Sequence, residues 1–428
     1  MTAAILRLNE RTFMSLKRSR NYRLFFSGQI VSVTGTWMQR IAQAWLILQL
    51  THNSAIAVGF MAFAQFLPFT IFGLFAGTFV DRIDARRTVI ATQTGAMLCS
   101  AGIASLVLAG VARPWEVYAI AAVNGTIMVL DAPARQALTF RMVGRQELSN
   151  AVALNSSLFN ASRIFGPGVG GLVIAAVGVG WCFVANAASF LAVIAGLLLM
   201  RKSEFHPVER GERPAILRGT LQGLQYVREH RRALILLALT LVVSTFSVNN
   251  NVLLPVLAKQ TLHQGPQTFG VLSALFGAGA LLGALLSAGL GRASTKWLLT
   301  GGTVFTGAQL LVAPERSVYV VGLLLFVSGV GFTLWSSNTN SSLQLEAPDH
   351  LRGRVVGLYF FAFTGSGPFG GLLAGWLSKV GGTELAFLVA GAAGLTAIAM
   401  ATTRLRAPVP KRSAEPVVDT PVEAQRAA

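Results

Sequence analysis

Charge is scarce in this sequence, and negative charge is scarcest. Only 12% of the 428 residues are charged, and only 17 residues are acidic. A soluble domain carries roughly a quarter charged residues, so this chain has too little polar surface to face water on every side. Two cysteines, Cys99 and Cys182, are too few for a disulfide framework or a metal spacing. The five histidines, His52, His206, His230, His263 and His350, all fall in connectors, which indicates neither a metal site nor a histidine relay at membrane depth. No nucleophile–base pair stands in an apolar run, and no Gly-x-x-x-x-Gly-Lys-Ser/Thr loop exists. The expectation is therefore no enzyme, no cofactor and no direct use of ATP.

Apolar length is abundant. Hydrophobic residues make up 53% of the chain, with a mean hydropathy of +0.59. Runs long enough to cross a hydrocarbon core lie at 24–48, 56–80, 89–110, 116–135, 152–176, 181–200, 233–257, 268–291, 297–313, 317–342, 355–378 and 385–403. The fold class is thus an all-α membrane protein with twelve transmembrane helices. Residues 24–200 and 233–403 each hold six spans and read as two halves. A cytoplasmic segment, 1–23, precedes them without a cleavage site for a signal peptide. A linker, 201–232, joins them, and a Pro-, Glu- and Ala-rich tail, 404–428, reads as disordered. Within the linker, Leu217, Leu221, Leu224 and Val227 share one face of a surface helix expected over Pro214–Arg232.

The net charge of +18 has a simple distribution. Of 35 Lys and Arg residues, 29 fall in alternate connectors and tails on one side. The other side holds only Arg113, Lys259, Arg316 and Lys379, while Arg40 and Arg163 lie inside spans. That asymmetry is the one expected of a membrane protein with both termini in the cytoplasm. The basic charge is a topology signal with some attraction to anionic lipid, and no nucleic-acid partner is implied.

Polar side chains inside spans mark an interior or a cavity, because lipid cannot pair them. Gln29, Ser32, Thr36, Arg40 and Gln43 recur at helical spacing in span 1. Asn124 lies in span 4, Asn160 and Arg163 in span 5, Asn249, Asn250 and Asn251 in span 7, and Trp335 and Asn338 in span 10. For Arg40 and Arg163 two readings stand: a role in substrate binding or coupling, or pairing with carbonyls and amides that fixes the helices. No acid sits mid-span. Asp131, at the inner end of span 4, pairs with Arg86 or Arg135 or acts as the proton-coupling group; the sequence leaves both open.

Two motifs carry a family resemblance. The end of span 2 reads GTFVDRIDARRT, Gly77 to Thr88, which resembles the second-connector signature of the major facilitator superfamily, G-x-x-x-D-R-x-G-R-R. Asp81, Arg82, Arg86 and Arg87 match; Asp84 replaces a glycine. Residues 131–171, DAPARQALTFRMVGRQELSNAVALNSSLFNASRIFGPGVGG, are echoed more weakly by LRGRVVGLYFFAFTGSGPFGG at 351–371. With GTWMQRIAQAW in span 1, they resemble the bacterial branch called transmembrane secretion effectors, which includes enterobactin exporters and macrolide efflux proteins. The resemblance covers most of residues 20–405.

It implies a secondary transporter that exports a small organic molecule by rocking of two halves, with proton antiport as the energy source. It implies a cavity among spans 1, 4, 7 and 10; with the polar residues of span 5 added, the candidates lining it are Gln29, Thr36, Arg40, Gln43, Asn124, Asn160, Arg163, Asn249, Asn250 and Asn338. It also implies a gate built from Gly77, Asp81, Arg82, Arg86, Arg87, Asp131 and Arg135. Gly166, Pro167, Gly170 and Gly171 in span 5 serve close packing, export direction or both. The unpaired arginines favour an anionic or neutral amphiphile over a cationic drug. A monomer with membrane lipids and the substrate as partners is expected. An importer or facilitator of the same fold, or a non-transporting membrane sensor, remains an alternative.

Overall fold

A computed structural model describes residues 13–80, 82–207, 216–290 and 293–406, and every regular element among them is helical. A short helix α1 (Met14–Arg18) leads into α2 (Arg20–Leu50), α3 (Ala55–Val80), α4 (Ala85–Leu108), α5 (Pro114–Val177) and α6 (Val179–Leu198). After α7 (Ile216–Glu229) come α8 (Arg231–Phe246), α9 (Asn250–Val256), α10 (Pro266–Gly289), α11 (Thr295–Val312), α12 (Val318–Glu346), α13 (Asp349–Thr364) and α14 (Gly367–Arg406). Eight helical stretches among the described residues are long and apolar enough to cross a membrane. Large apolar side chains point outward from them: Leu98, Phe165 and Leu323 are 63%, 65% and 63% exposed. That much exposed apolar surface is untenable in water and suits lipid.

Two of those stretches are double. A straight helix of 64 residues, the length of α5, would be about 96 Å long, three times a hydrocarbon core. Gly144, at φ 70°, breaks it and turns its second arm back. In α14, Gly381 and Gly382 do the same, with Gly382 at φ 68°. Left-handed backbone at these corners is open to glycine at little cost. With α2 and α11, which are more polar, the helices accommodate twelve crossings.

One crossing is interrupted on purpose-built terms. Residues 247–249 separate α8 from α9, and neighbouring side chains take up carbonyls freed there. Asn249 Nδ2 donates to the Thr245 and Phe246 carbonyls at 2.7 and 3.2 Å. Gln309 Nε2 donates to the Ser247 carbonyl at 2.7 Å, and Ser247 Oγ to the Ala390 carbonyl at 2.8 Å. Non-helical backbone survives at membrane depth only when it is satisfied in this way.

The linker helix is described from Ile216, the expected start at Pro214 lying outside the described residues; it ends at Glu229 rather than Arg232 and differs in its faces. Tyr226 and Val227 are buried, whereas Leu221 and Leu224 are 58% and 41% exposed. Val227 therefore does not share the leucine face. It sits one position past Tyr226, whose hydroxyl donates to the Glu346 carbonyl at 2.7 Å, and so turns inward with it.

The α2–α6 and α8–α14 sets meet through glycine. A Cβ on Gly171 of α5 would stand 2.6 Å from the Pro266 carbonyl oxygen and 3.1 Å from Gly270 Cα in α10. A Cβ on Gly59 of α3 would stand 2.6 Å from the Gly371 carbonyl oxygen in α14. Small residues permit such backbone contact where lipid offers no hydrophobic drive between helices. Both crossings lie at the end opposite the described terminal helices. Gly171→Leu is expected to destabilise the purified protein by about 1–3 kcal/mol through overpacking, read as a lower apparent melting temperature. Gly168→Leu, where a Cβ meets nothing within 4 Å, should leave it unchanged.

Candidate substrate cavity

Two cavities adjoin along α2 and share part of their lining. The larger, about 410 Å³, is walled by α2, α4, α5 and α6 and lined by Thr36, Gln43, Gln93, Asn124, Asp131 and Arg135, among others. The smaller, about 130 Å³, lies between the two helix sets, with Arg163, Asn250, Asn251, Phe269, Phe276 and Phe332 in its wall. Trp37, Arg40 and Gln65 line both. Beyond Arg40 the α2 helix is buried at every residue from Ile41 to Leu48, which seals this end. Towards the terminal helices, no hydrogen bond or ion pair among the described residues joins the two sets; the bonds that do are Thr70 to the Gly365 carbonyl at 2.8 Å and Gln260 to the Asn53 carbonyl.

The two intramembrane arginines meet at one ring. The Arg40 guanidinium carbon lies 4.5 Å from the Trp37 ring centroid, and that of Arg163 lies 5.9 Å from it. Arg163 also faces Phe276 at 5.0 Å and Phe332 at 5.3 Å. Cation–π contact in a desolvated site stabilises by about 2 kcal/mol, less than burying a cation costs. Neither side chain makes a hydrogen bond or ion pair among the described residues. The pairing with carbonyls or amides that the sequence left open is not formed.

Asp131 is the opposite case. It is 3% exposed and pairs with Arg135. Thr92 Oγ1 and Gln93 Nε2 donate to its Oδ1 at 2.6 and 3.0 Å. Arg135 in turn donates to Gln29 Oε1. One carboxylate thus ties α2, α4 and α5.

The sequence profile of the transmembrane secretion effector family matches residues 12–426. The chain belongs to that family, within the major facilitator superfamily, and is a transporter. It is 28% identical to the multidrug efflux pump Tap of Mycolicibacterium fortuitum, over 85% of this chain and 91% of that one. It is 25% identical to the staphyloferrin A transporter of Staphylococcus aureus, over 86% and 92%. It is 20% identical to macrolide efflux protein A of Streptococcus pyogenes, over 88% and 95%. Among solved structures, the nucleoside transporter NupG superposes with a TM-score of 0.72 at 11% identity, over 91% of this chain and 100% of the other. An inward-facing bacterial homologue of ferroportin gives 0.67 at 16%, over 90% and 98%. These neighbours carry the major facilitator fold.

In this secretion effector the other candidates fall into distinct places. Thr36, Arg40, Gln43, Asn124, Arg163 and Asn250 line the cavities. Gln29 lies beneath them, on Arg135. Asn160 bonds back to the Ser156 carbonyl of its own helix at 2.9 Å. Asn249 caps the α8 break. Asn338 accepts from the Ser294 backbone at 3.1 Å and donates to Ser287 Oγ at 3.3 Å, tying α12 to α10 and the start of α11. None of Asn160, Asn249 and Asn338 is among the residues lining the two cavities. Gln65 and Trp37, which are, carried a readable signal: Gln65 is a lone amide in the apolar run FMAFAQFLPF.

The signature connector is also resolved in part. Asp81 lies outside the described residues; Gly77 closes the last turns of α3, and Arg82 is exposed. Arg86 does not reach Asp131. Its Nε and Nη2 donate to the Leu197 and Leu198 carbonyls at 2.9 and 3.2 Å, satisfying the end of α6. Arg87 contributes its backbone N–H, which donates to Asp84 Oδ1 at 2.9 Å and caps α4. The departure from the motif, Asp84, thus has its own work: it also pairs with Arg141 at 3.1 Å. Burial pushes the Asp84 carboxyl up, but the backbone N–H of Arg87 and the Arg141 guanidinium outweigh it and hold it below the ordinary 3.8.

Gly166, Gly170 and Gly171 act by contact. A Cβ on Gly166 would stand 2.5 Å from Trp37 Cβ, and one on Gly170 would stand 3.2 Å from Met38 Cγ. Pro167 reaches the cavity wall.

Two outcomes are expected. In a double-mutant cycle of Asp131→Ala and Arg135→Gln, the single changes each leave a partner unpaired, and the double change recovers about 1–3 kcal/mol of coupling, measured by thermal unfolding. Because the folded Asp84 carboxyl is below its unfolded value, its contribution is present above about 3.8 and lost as pH falls through the folded value. The melting-temperature gap between the wild type and Asp84→Asn should close below that pH; a gap that persists in strong acid removes the ion pair as its source.

Proposed function

We propose that this chain exports a small organic molecule across the bacterial cytoplasmic membrane by alternating access. The observation that carries the reading is the central cavity. It is sealed at one end by glycine crossings and, among the described residues, carries no cross-bond between the helix sets at the other. The basic side of the charge asymmetry supports placing both termini, and the open end, in the cytoplasm. Cargo then enters from the cytoplasm, and rocking of the 24–200 half against the 233–403 half carries it outward. One chain supplies both cavity walls, which supports a monomer as the working unit. Export as the direction also draws on the efflux functions of Tap and macrolide efflux protein A.

Proton antiport is the energy source in this reading. Asp131 is the one carboxylate among the described residues lining the two cavities. Protonating it would release Arg135 and Gln29 and loosen the tie among α2, α4 and α5, which gives a proton a way to bias the halves. Uptake of a compound panel by inverted vesicles, with and without an imposed proton gradient, tests this. Gradient-driven accumulation of one compound class, lost in Asp131→Asn at equal protein level, is expected. Accumulation indifferent to the gradient would remove proton coupling, and net movement in the opposite direction would make the protein an importer.

A further inference from the structure

Among the described residues, no acid pairs with the two arginines Arg40 and Arg163 of the central cavity. Arg135 is neutralised by Asp131, and that carboxylate already accepts from Thr92 and Gln93. Arg40 and Arg163 have no such partner. They come from different helices, α2 and α5, and converge on one ring, Trp37, at 4.5 and 5.9 Å. A guanidinium that stacks on a ring uses its face and leaves its N–H edge free. That edge is built to bind a planar or tetrahedral oxyanion through two parallel hydrogen bonds. Two such edges, in a site whose one described carboxylate, Asp131, is already paired with Arg135, form a receptor for negative charge and a barrier to cations.

The rest of the smaller cavity describes the body of the ligand. Phe269, Phe276, Phe305 and Phe332 supply an apolar, aromatic wall. Asn250 lines the same space, and its Oδ1 is buried without a donor. An unsatisfied buried acceptor favours a ligand that brings an N–H or O–H to it.

Resting on the exporter reading above, we propose that the cargo is an organic oxyanion: an apolar body bearing two acidic groups, carboxylate or phosphate. Arg40 holds one and Arg163 the other, and a hydroxyl or amide donor meets Asn250. The cargo's own charge then completes the ion pairs that the empty site lacks. A dication of the same shape meets two like charges and is excluded.

The test uses the full chain, purified and reconstituted in lipid nanodiscs. Binding is read from quenching of tryptophan fluorescence, with Trp37→Phe assigning the signal. Three probes share one ring system: naphthalene-2,6-dicarboxylate, 2-naphthyl phosphate and 2,6-bis(aminomethyl)naphthalene. The wild type is expected to bind at least one anion and to reject the diamine. The two anion arms distinguish carboxylate from phosphate as the acidic group. Arg40→Gln and Arg163→Gln should each weaken the dicarboxylate about tenfold or more, as the loss of a charge-assisted pair does, and Arg163→Lys should recover part of it. Diamine binding as tight as the anions, or no anion binding at all, overturns the proposal on the wild-type protein alone, whatever the variants' folding. Unchanged affinity in both glutamine variants overturns it too. The same anions are then offered to inverted vesicles. Binding without gradient-driven movement would retain the anion site and remove the exporter reading, whereas movement of the diamine alone would keep the exporter and discard the site.

Discussion

Hydrocarbon solvates neither a charge nor an unpaired peptide group, and this constraint orders the whole molecule. It makes every described element a helix. It confines carboxylates to connectors and helix ends, with the exception of Asp131, which is admitted with three donors around it. It permits the gap at 247–249 because Asn249 and Gln309 complete the bonds there. Arg40 and Arg163 are the places where it is not met by the protein itself. A cavity there is the physical consequence: two cations that the chain leaves unpaired need water or a ligand beside them.

The same constraint decides how the two helix sets touch. With lipid as apolar as the side chains, association relies on contact, and the closest contacts are backbone on backbone at Gly171–Gly270 and Gly59–Gly371. The two crossings pair α5 with α10 and α3 with α14, so they stand on either side of the cavity. Tight packing at one end, with no cross-bond among the described residues at the other, fits one limb of the alternating-access cycle proposed above. The opposite limb requires these crossings to part.

Much of this was legible in the residues. Hydropathy located the crossings because a span must be long and apolar, and the arginines inside spans announced a cavity because they are costly anywhere else. Partners were harder to read. Gln29 and Gln43 share one helical stripe, yet Gln29 serves Arg135 while Gln43 faces the cavity, since a stripe fixes direction and says nothing of depth. Asn249 and Asn250 are adjacent, but a helix break falls at Asn249, so one becomes a cap and the other a wall. Asn338 resembles a cavity residue from its neighbours in sequence and is instead a tie between helices. In the linker, the leucine face was visible, but the burial of Tyr226 and Val227 depends on Glu346, 120 residues away.

The GPGVGG motif joins the cavity to the crossing. Gly166 lets α5 press against Thr34 and Trp37, Gly170 seats it on Met38, and Gly171 brings it to α10. Without a side chain at Gly166, Arg163 lies one turn below in reach of the Trp37 ring. Across the interface, a Cβ on Gly277 would stand 2.9 Å from the Arg163 carbonyl oxygen, so the residue that carries the charge is itself part of the α5–α10 contact. When α5 and α10 shift, Arg163 keeps its place beside Trp37, which belongs to the same helix set, while Phe276 and Phe332 move with the other. The charged and aromatic walls of the cavity therefore part along the seam that seals it. In the proposed exporter, loading of the site and opening of the seal would act on one helix, α5, which would give the proposed anion leverage over the seal.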